Sequence, residues 1–72
     1  GYKYFAAKGL IVMANNFYLL KDPYQATYIL KSISENFQEF EDIVDQAKLE
    51  LSRIKSEELK TNSSVIINED QN

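Results

Sequence analysis

An all-helical fold, a helical hairpin followed by a third helix, is the class this sequence predicts. Three observations predict it. Apolar residues recur at helical spacing in three successive segments. One strong break, Lys21-Asp22-Pro23, separates the first two. The chain has 72 residues with no Cys and no His. Disulfides and Cys/His metal sites are therefore absent, and helix packing or a partner must stabilise a single small domain.

The first helix is expected from about Tyr4 to Leu20. Leu10, Met13, Ala14 and Phe17 share one face, and Phe5, Ala6 and Ile11 widen the stripe. Pro23 ends this segment because it removes an amide donor and disfavours helical geometry at the residue before it. The same residues start the second helix, from Pro23 to about Asn36. Asp22 is a good N-cap, Pro23 suits the first helical position, and Gln25 stands where a capping box places its reciprocal member. The apolar face of this helix is Ala26, Ile29, Leu30 and Ile33.

Residues 36–39 form the second connection. The third helix is expected from about Glu41 to Lys60, with Ile43, Val44, Ala47, Leu51 and Ile54 on one face. Glu41, Asp42 and Asp45 near its start, and Arg53, Lys55 and Lys60 toward its end, suit the helix dipole. The three-helix module thus occupies residues 1–60. Residues 61–72 read as a polar, flexible tail with one apolar spot, Val65-Ile66-Ile67.

Charge is divided along the chain, whose net charge is −3. Residues 1–34 carry four lysines against Asp22 alone, a balance of +3. Residues 35–72 carry ten acids against four bases, a balance of −6. A +3 half lacks the dense basic face that nucleic acid requires. A helix–turn–helix DNA reader is disfavoured for the same reason, because the second helix has only Lys31 against Glu35. The longest apolar run, Gly9–Ala14, is far short of the roughly 20 residues of a membrane span. Without His or Cys the usual general base and thiol nucleophile are missing. No enzyme activity, cofactor or metal is expected. The chain opens on Gly1 and not on Met, which predicts a segment of a longer protein.

The hairpin also carries a repeat signature. Leu10, Met13, Ala14 and Phe17, followed by Ala26 and Leu30, have the spacing of a tetratricopeptide repeat. The period of that family is about 34 residues. One period on stand Val44, Ala47, Lys48 and Leu51, three of which keep their character. Over residues 4–54 the sequence therefore resembles the tetratricopeptide family, as the C-terminal repeat and capping helix of a bacterial array. It departs from the pattern in four places. No Trp occupies the first signature position, Lys21 stands where Gly is usual, no Pro closes the hairpin near Gln38, and Lys48 replaces a small residue.

The resemblance implies a TPR-like α–α superhelix and a protein–protein interaction scaffold that binds a peptide or partner protein. The alternative is a structural capping segment that self-associates without an external ligand. A plain three-helix bundle would share the spacing without the function. In such arrays the inner face of each repeat's first helix holds the ligand. By resemblance that face would hold Lys8, Ile11, Asn15, Tyr18 and Leu19 on the first helix, and Asp42, Asp45, Leu49, Ser52 and Arg53 on the third. Asn15 is the most suggestive, since an amide can both donate to and accept from a ligand backbone. Leu49 points away from its own helix's apolar stripe. The side of the hairpin that an array covers with a preceding repeat would present Tyr4, Phe5, Ile11 and Tyr28, which predicts a homodimer of the isolated segment. Bacterial arrays of this kind are often exported, an expectation of the cell envelope or periplasm over the cytoplasm.

Overall fold

The computed structural model describes residues 1–70, with side chains described through Thr61. Among these residues there are three helices and no strand: α1 Tyr2–Leu19, α2 Pro23–Asn36 and α3 Glu41–Asp70. The fold is all-α. It is elongated, 55 by 20 by 13 Å.

The first turn is set by the backbone. Leu20 closes α1 and Lys21 follows at φ 66°, in the left-handed region. The Lys21 amide donates to the Tyr18 carbonyl at 3.0 Å and the Asp22 amide to the Phe17 carbonyl at 2.9 Å. That pair of bonds is a Schellman motif, which satisfies carbonyls that a helix end leaves open. Asp22 then caps α2, accepting from the Gln25 amide at 3.1 Å, with Pro23 in the first turn. The chain reverses within three residues, so α1 and α2 lie antiparallel.

Three short apolar faces meet in one core. Ala7, Ile11 and Ala14 of α1, Ala26, Leu30 and Ile33 of α2, and Ile43, Ala47 and Ile54 of α3 are all buried. Alanines at 7, 14, 26 and 47 have no exposed surface, so the helices approach closely at those points. Leu10, Phe17, Ile29, Phe37, Phe40 and Leu51 pack around this centre. No polar or charged side chain is buried among the described residues.

The structure departs from the sequence reading in three places. The core stripe of α1 runs through Ala7, Ile11 and Ala14, while Met13 is exposed. Ile11 is therefore a core residue and is not available to a ligand or a neighbouring repeat. Tyr4 is also drawn inward, against Phe40. Tyr4 is held by Asp42 and Phe40 at the start of α3, and Ile11, two turns on along the same side of α1, is buried in the core.

The third departure is the length of α3, which continues to Asp70 where a tail had been expected from residue 61. Thr, Asn and Ser are weak helix formers, but no Gly or Pro interrupts residues 41–72, so nothing in the sequence forces a stop. The side chains of Val65, Ile66 and Ile67, and residues 71–72, lie outside the described residues.

Candidate functional site

Helices α1 and α3 run parallel on the same side of α2 and barely touch each other. The N-terminal ends are tied together. Lys3 Nζ donates to Glu39 Oε2 at 2.7 Å, and the Tyr4 hydroxyl donates to the Asp42 carboxylate. The Tyr4 ring meets Phe40 edge-on, with centroids 5.3 Å apart. Toward the other end, Tyr18 lies within the electrostatic reach of Arg53, Glu57 and Glu58. Between these points the two helices make few contacts, and the space between them is the candidate groove.

The candidate residues distribute unevenly around it. Lys8 stands over the Tyr4 ring, 5.3 Å from its centroid, in cation–π range. Asn15 is half-buried one turn from Ile11, on the side of α1 that faces α3, and its Oδ1 is buried with no hydrogen-bond partner. Tyr18 is half-buried at the far end. On α3, Leu49 is 70% exposed. Arg53 is exposed and donates to Glu50 one turn earlier. Asp42 is engaged by Tyr4, while Asp45 and Ser52 are exposed. Lys8, Asn15 and Tyr18 of α1 and Arg53 of α3 thus border the groove, while Leu49 is an exposed residue of α3 with no described contact to α1. Ile11 forms part of the core beneath the groove. Leu19, one turn after Asn15 and on the same face of α1, is exposed.

The groove is electrostatically mixed. The hydrogen bond from Tyr4 holds the Asp42 carboxyl below its usual range, and the same bond pushes the Tyr4 phenol up. Burial raises the Tyr18 phenol, and the Glu58 and Glu57 carboxylates add to the effect. The hydrogen bond to Glu50 raises Arg53 further, keeping it charged at every working pH. At the lower end a hollow of about 490 Å³ is lined by Tyr18, Lys21, Pro23, Glu58 and Thr61. Among the described residues no group of three or more His, Cys, Asp and Glu is placed to hold a metal ion. None of the described helices is long and apolar enough to cross a membrane.

Three site features were not read from the sequence. Tyr4 and Lys3 were not paired with Asp42 and Glu39, although the basic first half and acidic second half carry that signal. Phe37 and Phe40, placed in or beside a connection, form an aromatic plug with Tyr4. Glu58 joins Tyr18 across the groove only because α3 continues past the hairpin. No family model, curated protein or solved structure matches the chain.

Proposed function

We propose that this chain is a protein-interaction scaffold of the tetratricopeptide type, in which the groove between α1 and α3 receives an extended peptide or a partner segment. In this reading α1 and α2 are a terminal repeat and α3 is the helix that closes an array of bacterial origin. The observation that carries the reading is Asn15. Its amide sits at the groove with a buried, unpaired oxygen, and an unmet buried acceptor costs about 1–3 kcal/mol. A ligand N–H that reaches this amide after it rotates recovers that cost, and ligand binding of this kind needs no particular side chain on the peptide. Leu49 supplies an apolar contact on the opposite wall, and Lys8 and Arg53 supply charge at the rim.

The spacing of α1 and α3 supports the family reading. They run in the same direction, related by about one 34-residue period, and each packs on α2 through a buried small residue, Ala14 on α1 and Ala47 on α3. Lys48, which breaks the repeat pattern, is exposed, as suits a helix with no further hairpin packed on that position. The reading is non-catalytic, since the chain holds neither His nor Cys.

The test is selection of binders from a displayed library of random linear peptides, with the 72-residue chain as bait. For a selected peptide, Asn15→Ala should raise Kd about 5- to 10-fold, the equivalent of one net hydrogen bond. Leu49→Ala should raise it by a similar factor. Binders indifferent to both substitutions would remove the groove as the binding surface.

A further inference from the structure

The side of α1 that faces neither α2 nor α3 carries a second feature. Tyr2 is 85% exposed, Phe5 71%, Val12 60%, Met13 47% and Leu20 76%. Their spacing places them on one face of the helix, with Gly9 at its middle. The face has no charge. The two lysines of α1 lie elsewhere, Lys3 paired with Glu39 and Lys8 over Tyr4.

We infer that this face is the contact between two copies of the chain, with the two α1 helices antiparallel across a two-fold axis between Gly9 and Met13. The inference stands apart from the groove, which lies on another side of α1. Of the residues the sequence offered for a face toward a neighbour, only Phe5 lies on it, because Tyr4 and Ile11 are turned inward and Tyr28 belongs to α2.

Three observations carry it. The first is area. At about 200 Å² for a free aromatic side chain, Tyr2 and Phe5 alone expose roughly 300 Å², and Val12, Met13 and Leu20 bring the stripe to on the order of 600 Å². Two such stripes come to about 1,200 Å², the low end of stable protein interfaces. The second is self-complementarity. Antiparallel pairing about that axis sets Gly9 against Met13 of the other copy, small against large, and Tyr2 against Leu20 of the other copy. No atom outside its own helix backbone lies within 4 Å of the place a Gly9 Cβ would occupy, so a second helix can approach closely there. The third is charge. An uncharged face paired with itself meets no like-charge repulsion, whereas the exposed face of α3 carries many charges. Antiparallel helices also oppose their dipoles favourably.

Sedimentation equilibrium of the 72-residue chain tests this over about 10–500 µM. The expected result is a mass rising toward twice that of the 8.3 kDa chain. Val12→Glu puts a charge into the contact, and Gly9→Leu fills the space that the partner's Met13 needs. Both positions are open in the single chain, so each variant should keep its helical circular dichroism while its dimer Kd rises about 30-fold or more. A native chain that stays at 8.3 kDa throughout the range overturns the inference. So does a dimer that persists unchanged in both variants, because it would have to use another surface.

Discussion

At the first turn the chain is reversed by its own backbone, and at the second by side chains of the connection packed against α1. Between α1 and α2, Lys21 takes a left-handed conformation, two amides cap the end of α1, and Asp22 caps the start of α2. Every partner lies within a few residues. Between α2 and α3, the Phe37 amide bonds to Ile33 and the Phe40 amide to Phe37, but no left-handed residue or Asx cap sharpens the bend. Its place is held by Phe37 and Phe40 stacked at 6.5 Å, by Tyr4 edge-on to Phe40, and by Lys3 bonded to Glu39. A turn built on local bonds forms with its hairpin. A turn built on distant side chains forms only when α1 is already in place.

The largest test of that difference is Phe40→Ala. Removal of a fully buried Phe costs about 3–5 kcal/mol, and Phe40 is half-buried, so a loss of roughly 2–3 kcal/mol is expected in urea unfolding. The loss should fall on α3 docking and leave the α1–α2 hairpin as the more protected part in hydrogen exchange. Uniform loss of protection would show that the two turns do not differ in this way.

Asp22→Ala comes next, at about 0.5–2 kcal/mol for a lost N-cap. A melting temperature unchanged by it would mean that the 3.1 Å bond to the Gln25 amide contributes nothing in solution. Lys21→Gly should act in the opposite direction and stabilise by about 0.5–1 kcal/mol. Gly adopts the left-handed region without the penalty a side chain incurs, which outweighs its greater freedom in the unfolded chain.

The pH dependence should be the smallest effect, and its acid limb belongs to the second turn. Asp42 and Glu39 are held below their ordinary values by Tyr4 and Lys3. Their contribution is therefore present above the ordinary carboxylate range and is lost as pH falls through the folded values. The Tyr4 phenol is raised by its bond to Asp42. Its contribution is present below the ordinary phenol value and is lost as pH rises through the folded one. Tyr4→Phe should reduce the alkaline limb, leaving the part that Tyr18 contributes, and weaken the acid one. A pH profile identical to that of the native chain would mean that the Tyr4–Asp42 bond is not populated.

The same contrast explains what the sequence made legible. Helix α2 was readable to the residue, because Asp22, Pro23 and Gln25 are local signals with a mechanism. The buried faces of α2 and α3 were readable for the same reason, as periodic apolar positions. The rotation of α1 was not. With Phe5, Ala6, Leu10, Ile11, Met13 and Ala14 all apolar or small, periodicity alone could not say which arc faces inward, and the packed structure buries Ile11 and leaves Met13 exposed. The end of α3 was not readable either, because its last turns hold weak helix formers but no stop. Asn15, Leu49 and the charged residues were named from the resemblance, and their role in binding stays with the proposal. The ties through Tyr4, Lys3 and Phe40 depend on residues about 36 positions apart in sequence, and no local pattern announces them.

The groove between α1 and α3 is the central functional claim, and nuclear magnetic resonance tests it most directly. A peptide selected on the chain would be titrated into the isotope-labelled protein while amide and Asn side-chain signals are followed. The account predicts shifts centred on Lys8, Asn15, Tyr18, Leu49 and Arg53, with the Asn15 side-chain amide among the largest. Shifts centred instead on Phe5, Val12 and Leu20, or on the outer face of α2 at Tyr24 and Tyr28, would contradict it.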